Sequence, residues 1–141
     1  MARDYTTIPV SQVDRDIAAY ALDAPVRDKI LQRSLALCAR NLATLEKFVT
    51  SHGDYLRWVK PRGASSAFVR VVDSEKGAPV DDRPFCEKPI RETGLLIVPG
   101  GEAFGTECDT DFNGYLRVGF VCSSEKFENA LKIWGEYLDQ M

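Results

Sequence analysis

Arg117 is the residue of this sequence whose setting most suggests binding chemistry. It lies inside the apolar run YLRVGFV (residues 115–121), whose β-branched and aromatic residues predict a strand. Side chains alternate between the faces of a strand, so Arg117 and Gly119 should share one face, opposite Leu116 and Val118. One interpretation is a solvated arginine on an exposed face. The other is an arginine that binds a carboxylate through two parallel hydrogen bonds in a cleft.

Three acidic residues, Glu107, Asp109 and Asp111, alternate just before this predicted strand. Calcium takes carboxylate oxygens of this kind, so a metal site is one interpretation. The segment lacks the glycine and the terminal glutamate that an EF-hand loop has at fixed positions. We therefore favour a solvated acidic loop and predict no metal site.

The sequence has four cysteines and one histidine, and none of the cysteines forms a C-x-x-C pair. A zinc site is therefore not indicated. We interpret the cysteines as reduced thiols, which is typical of a cytoplasmic protein. They are Cys38, Cys86, Cys108 and Cys122.

Two segments occur in a characteristic order: VPGGEAFG at residues 98–105, and LRVGF at residues 116–120. Together they resemble the C-terminal signature of class I/II aminotransferases, the fold-type I enzymes that use pyridoxal phosphate (PLP). In that family, V-x-P-G-x-x-F-G or a close variant precedes a strand that begins R-[IVL]-x-[FL]. The sequence departs from the family at Ala64, which stands in a turn where a glycine is common.

The resemblance implies a parent enzyme that uses PLP to transfer an amino group between an amino acid and a 2-oxo acid. In such an enzyme Arg117 would bind the α-carboxylate of the substrate, and this chain would also supply a mobile lid. The parent would be a homodimer. A related PLP lyase or decarboxylase remains an alternative.

A PLP enzyme needs a lysine that forms a Schiff base with the cofactor. None of the seven lysines here lies in the family's S-x-[ST]-K context, and the residues that contact the cofactor would lie upstream. We therefore expect this chain alone to be inactive and to bind no PLP, and Arg117 is its only predicted site residue. The lysines are Lys29, Lys47, Lys60, Lys76, Lys88, Lys126 and Lys132.

The first half of the chain predicts two helices and two strands. Ser11 can cap a helix that ends at Leu22, with Asp14 in the capping-box position. A long helix should follow over residues 25–52, since Pro25 suits a first turn. Its apolar residues recur at steps of four and three and predict a stripe that packs in the core. The stripe is Leu31, Leu35, Cys38, Leu42, Leu45 and Val49.

The remaining elements are short until the last helix. Strands are predicted at residues 55–59 and 67–72, and again at 95–98 and 115–121. A helix over residues 83–93 contains Pro89, which would break it or delay its start. Ser123 or Ser124 should cap the last helix. Its predicted buried face comprises Phe127, Ala130, Leu131, Trp134, Tyr137 and Leu138.

This order predicts an α+β fold, an α/β sandwich in which the long helix and the C-terminal helix cover a small, largely antiparallel sheet. By resemblance, residues 1–23 would close the large domain of the parent, because a D-Y-T-T-I stretch follows the cofactor lysine in the family. Residues 24–141 would form the small domain, joined by the bridging helix. On this interpretation the chain starts after the catalytic lysine, and the missing large domain is its partner.

Composition excludes several classes of protein. With 45% hydrophobic and 28% charged residues among 141, the chain is globular rather than disordered. The net charge of −3 and the dispersed basic residues give no support for nucleic-acid binding. No apolar run is long enough to span a membrane, and the N-terminus does not resemble a signal peptide.

The sequence leaves two further function classes open beside a piece of an aminotransferase. One is a stand-alone binding or regulatory module that keeps the fold and a carboxylate-binding arginine. The other is a dimerisation module without a ligand. A lysine motif upstream in the reading frame would decide for the enzyme.

Overall fold

We describe residues 11–104 and 112–141, without the side chain of Glu102, in a computed structural model of the chain. The chain divides into two compact units, residues 1–36 and 37–141. Five helices lie within the described residues: α1 Gln12–Leu22, α2 Ala24–Ser51, α3 Asp82–Thr93, α4 Gly100–Phe104 and α5 Ser124–Leu138. The strands described are β1 Leu56–Trp58, β2 Ser66–Val71, β3 Val98–Pro99 and β4 Tyr115–Gly119.

The four strands form one sheet in the order β1-β2-β4-β3, with every neighbouring pair antiparallel. Alternation along β2 and β4 buries Val69 and Leu116 and turns Phe68 and Arg117 to the opposite face. The predicted α+β fold with an antiparallel sheet is therefore confirmed.

The core of residues 37–141 lies on the buried face of this sheet. Side chains from the second half of α2, from α3 and from α5 pack against the buried strand residues. Fully or almost fully buried members include Leu45, Val49, Phe85, Leu131, Trp134 and Leu138. The predicted face of α5 is confirmed for Phe127, Leu131, Trp134 and Leu138, and Ala130 and Tyr137 are half-buried.

Helix α1 has the predicted bounds but not the predicted surroundings. Ser11 is its N-cap residue, yet its side chain makes no capping hydrogen bond, so the predicted capping box does not form. The side chains expected to pack, Val13, Ile17 and Tyr20, are all more than half exposed. Their spacing gives the helix an apolar side, and no described residue covers that side.

The prediction that the whole apolar stripe of α2 packs in the core is wrong for its first part. Leu31 and Leu35 are exposed, Leu42 is half-buried, and Leu45 and Val49 are buried. A helix of 28 residues is about 42 Å long. The longest strand described has six residues and spans about 20 Å, which is about half the length of the helix.

The segment before α4 is less regular than predicted. Only Val98 of the predicted strand at residues 95–98 pairs with β4, and Pro99 extends the strand by one residue. Residues 95–97 and Gly119 line a crevice of about 120 Å³. Helix α3 runs unbroken through Pro89, which contradicts the expected break. Gly94 ends it in the left-handed region, at φ 75°.

No helix within residues 11–104 and 112–141 is long and apolar enough to cross a membrane. Among the described residues, Cys38, Cys86 and Cys122 are free thiols. Cys108 lies outside the described residues.

Candidate functional site

Arg117 lies in the middle of β4, one of the two strands that pair on both sides. It is opposite Phe68 of β2 and Val98 of β3. Its side chain is on the exposed face of the sheet, as predicted, and Gly119 lies on the same face with no atom near the position that a Cβ would take. Arg117 is therefore held by two neighbouring strands and has open space beside it.

The guanidinium of Arg117 lies over an aromatic ring. Its Cζ is 5.9 Å from the ring centroid of Phe104, the last residue of α4. Within the described residues, no carboxylate forms an ion pair with Arg117. Asp109 and Asp111, the acids that an ion pair would use under the solvated-face interpretation, lie outside those residues, as does Glu107.

Phe104 belongs to a group of four aromatic rings on the open face of the sheet. Its centroid is 4.8 Å from that of Phe68 and 6.1 Å from that of Phe112. Tyr115 completes the group, with its centroid 6.3 Å from that of Phe112. These edge and tilted contacts make a rigid apolar floor next to a cation.

Helix α4 reaches this position because two glycines allow close contact. A Cβ on Gly100 would lie 2.5 Å from the carbonyl oxygen of Tyr115, so no other residue fits without a shift. The amide of Gly101 donates to Oδ2 of Asp82 at 2.8 Å. The Pro-Gly-Gly part of the motif therefore serves to seat α4 between α3 and β4.

Two further arginines share the open face, and both also donate hydrogen bonds to backbone carbonyls. Arg57 and Arg70 lie directly opposite each other on β1 and β2. Arg57 donates to the carbonyls of Gly53 and Leu56. Arg70 lies over Tyr115, with its Cζ 5.1 Å from the ring centroid. Of these three arginines, Arg117 is the one whose guanidinium lies over Phe104 of α4, the helix within residues 98–105.

The lysines and acids of the described residues do not complete a catalytic site. All seven lysines are exposed, and none is enclosed as a Schiff-base lysine must be. No group of three or more His, Cys, Asp or Glu side chains among the described residues is placed to hold a metal ion. The residues that the structure describes therefore do not by themselves fit PLP.

Cys86 of α3 is a buried thiol whose pKa is strongly raised. Burial, with a smaller contribution from the negative charge of Asp82, raises the pKa of Cys86 from 9.0 to about 12. At neutral pH this thiol is protonated, so it is a poor nucleophile. Cys86 is thus a packing residue of α3.

No protein-family model matches the chain, and no curated protein matches it. Solved structures do match. The chain superposes on a PLP-dependent aminotransferase from Streptococcus suis 89-1591 with a TM-score of 0.79 and 28% identity, covering 98% of this chain and 33% of that one. An aminotransferase from Mycobacterium tuberculosis matches with a TM-score of 0.70 and 28% identity, over 89% of this chain and 30% of that one.

The chain therefore resembles one domain of PLP-dependent aminotransferases. The resemblance predicted from residues 98–105 and 116–120 is thereby confirmed. The domain also matches the PLP-dependent cyclase OrfR, with a TM-score of 0.82 and 26% identity, over 99% of this chain and 35% of that one. The aminotransferase-like domain spans about a third of the length of these structures.

Two residues that matter to the domain were missed from the sequence. Asp82 is a buried carboxylate that contacts α4. Asn41 is fully buried in α2, and its amide donates to the carbonyls of Phe120 and Cys122 at 2.9 Å each. All three hydrogen bonds join residues far apart in sequence, so no local pattern could reveal them. A polar residue on the apolar side of α2 was the only available signal for Asn41.

Proposed function

We propose that this domain forms the substrate-carboxylate side of a PLP-dependent aminotransferase that transfers an amino group between an amino acid and a 2-oxo acid. Arg117 receives the α-carboxylate. The observation that carries the proposal is the setting of Arg117, centred in the sheet, without a described carboxylate partner, and above Phe104 of the motif helix. The aminotransferases that share the fold support the reaction class.

Arg117 acts by binding and orienting. Its planar fork donates two parallel hydrogen bonds to the two oxygens of a carboxylate, which fixes the direction of the substrate as well as its charge. Phe104 supports one face of the guanidinium and limits its rotamers. Gly119 keeps the space above the strand open. Together they hold the substrate in one orientation relative to the sheet.

The complete enzyme supplies PLP and the lysine that binds it, from residues outside this chain. PLP provides the electron sink for chemistry at the substrate Cα. The domain contributes a lid that closes over the bound carboxylate and excludes water. This chain alone is accordingly inactive.

The large domain of the parent is the proposed partner of residues 11–36. Apolar side chains of this unit, among them Ile17, Tyr20 and Leu35, are more than half exposed, and an exposed apolar surface of this kind is typical of an interface. We also propose a homodimeric, cytoplasmic parent, in keeping with the reduced thiols.

Arg117→Lys in the complete enzyme tests the proposal. Lysine keeps the charge and loses the fork, and each charge-assisted hydrogen bond contributes roughly 1.5–3 kcal/mol. We expect kcat/KM for amino-acid substrates to fall by about two orders of magnitude or more. The PLP absorbance should be unchanged. Arg57→Lys, on the same sheet face, is the matched control and should stay within a fewfold of wild type. Wild-type-like kcat/KM in Arg117→Lys would defeat the assignment.

A spectrum of the chain mixed with PLP tests whether the cofactor needs the rest of the enzyme. After removal of excess PLP, we expect only slow labelling spread over several exposed lysines. A stoichiometric aldimine band that disappears on mutation of one particular lysine would contradict the proposal. In that case the chain would carry its own cofactor site.

A further inference from the structure

We propose that Asp82 is a positioning residue for Arg117. Its buried carboxylate holds the start of α4 and, through α4, keeps Phe104 under the guanidinium. The inference rests on the proposed function only for the consequence at the substrate carboxylate. The structural link itself stands on the contacts of Asp82, Gly101 and Phe104.

The carboxylate of Asp82 is buried. Asp82 is 6% exposed, and a buried carboxylate is unfavourable unless hydrogen bonds compensate for the lost water. Its partner is the amide of Gly101, 19 residues away in sequence, at 2.8 Å. The cap of α3 is a different residue, since Asp81 accepts the hydrogen bond from the amide of Arg83. Asp82 therefore does not cap α3, and its carboxylate accepts a hydrogen bond from the backbone of α4 instead.

The first two residues of α4 fit closely against Asp82 on one side and against β4 on the other. A Cβ on Gly101 would lie 3.3 Å from both carboxylate oxygens of Asp82. A Cβ on Gly100 would collide with the backbone of Tyr115. The start of α4 is thus enclosed between a carboxylate and β4.

Helix α4 is short. A helix of five residues cannot persist without outside contacts, because nucleation is unfavourable and few hydrogen bonds follow it. Gly101 and Phe104 are three residues apart and lie on one turn. Loss of the bond at Gly101 should therefore free the ring of Phe104, which otherwise contacts Phe68 and Arg117.

Nuclear magnetic resonance on the 141-residue chain tests the structural link. In Asp82→Ala, we expect amide hydrogen exchange at Gly101 to speed up by about tenfold or more, the loss expected for a charge-assisted hydrogen bond. Contacts between the Phe104 ring and the Arg117 side chain should disappear. Asp82→Asn keeps an acceptor oxygen and should retain most of both signals. Asp81→Ala removes the cap of α3 and should retain both.

Gly101→Ala provides a second variant in case Asp82→Ala fails to fold. Its Cβ would lie 3.3 Å from both carboxylate oxygens of Asp82, so the carboxylate and the amide of residue 101 must move apart by a few tenths of an ångström. The contact between Phe104 and Arg117 should weaken, by less than in Asp82→Ala. Unchanged exchange at Gly101 in Asp82→Ala, or unchanged ring contacts in both variants, would overturn the inference.

Kinetics of the complete enzyme test the consequence for the substrate. Asp82→Ala should raise KM for the amino acid by about tenfold, with a smaller change in kcat, because it disturbs carboxylate binding rather than bond breaking. Asp82→Asn should restore most of the lost affinity. If Arg117→Lys leaves the kinetics unchanged while Asp82→Ala still frees Phe104, the proposed function fails and the positioning role stands.

Discussion

The two halves of helix α2 carry the same apolar spacing and meet opposite surroundings. Leu35, in residues 24–36, is 67% exposed, and Leu45, in residues 37–51, is 0% exposed. Both belong to one stripe, so the difference does not arise from local sequence. Periodicity determines which side of a helix is apolar, and the extent of the neighbouring layer determines how much of that side is covered.

The buried half is also the half that contains a buried polar side chain. Asn41 satisfies two carbonyls just beyond the end of β4. The exposed half, by contrast, presents leucine and isoleucine to solvent. Hydrophobicity alone would therefore place Asn41 at the surface and Leu35 in the core. The amide nitrogen of Asn41 is hydrogen-bonded in the core, although its Oδ1 has no hydrogen-bond partner there.

Truncation of one leucine in each half gives the largest expected contrast. Leu45→Ala removes a fully buried side chain and should lower the free energy of unfolding by about 2–5 kcal/mol. Leu35→Ala leaves the core intact and should change it by less than about 0.5 kcal/mol. Urea denaturation of both variants checks this. Equal losses would mean that residues 24–36 pack as tightly as residues 37–51.

Leu42 belongs to the same apolar stripe as Leu45 and Leu35, and its burial is intermediate between theirs. Leu42 is half-buried rather than buried, so Leu42→Ala should cost less than Leu45→Ala. A full cost of about 2–5 kcal/mol was expected from the sequence. Measurement of the three leucine variants in one series would locate the boundary between the two halves. A cost for Leu42→Ala equal to that for Leu45→Ala would mean that the tightly packed part of α2 already includes residue 42.

Replacement of Asn41 tests whether the buried half depends on its polar contact. Asn41→Leu keeps the volume but leaves the carbonyls of Phe120 and Cys122 without their donor. Two lost buried hydrogen bonds should lower the free energy of unfolding by about 2–4 kcal/mol. Thermal denaturation measures the loss. A variant as stable as wild type would show that the apolar contacts of this half suffice.

Ala64→Gly should stabilise the unit that contains the buried half. Ala64 has φ 68°, the left-handed region that costs a residue with a Cβ about 1–2 kcal/mol. Glycine removes this strain but gains freedom in the unfolded chain, so a net gain of about 1 kcal/mol is expected. Hydrogen exchange should slow within residues 37–51 and stay unchanged in residues 24–36. Equal slowing in both halves would mean that they unfold together.

The thiol of Cys86 should make the stability of residues 37–141 sensitive to alkaline pH. Below its ordinary pKa of 9.0, the thiol is protonated in both states and has no effect on the pH dependence. Burial raises the pKa to about 12, so above 9.0 the unfolded chain releases a proton that the folded chain retains. The free energy of unfolding should therefore fall as pH rises from about 9 to 12. Cys86→Ala should reduce this slope, and an unchanged slope would assign it to other groups.

The sequence predicted the parts of this fold that depend on local patterns. Alternation placed Arg117 on the open face, and serine and glycine correctly marked the ends of α5 and α3. Helix α4 escaped prediction because GGEAF has two glycines and too few residues to show a period.

The contacts that seat the candidate site were beyond the reach of local patterns. The bond from Gly101 to Asp82 joins separate helices, and the exposure of Leu35 depends on what lies beside it in space. Family resemblance supplied the candidate residue, Arg117, but gave no information on what supports it. Tertiary contacts decide such features, and a single sequence does not encode them in a readable spacing.

The central place of Arg117 in the sheet has a consequence for how this protein can change over generations. Leu116 and Val118 fix the register of β4, because a slip of one residue would bury the arginine and expose both of them. A deletion or insertion of one residue inside Tyr115–Gly119 would therefore remove the site and the core together. Length changes in the connecting segments leave that alternation intact, so related sequences should vary in length between the strands and not within β4.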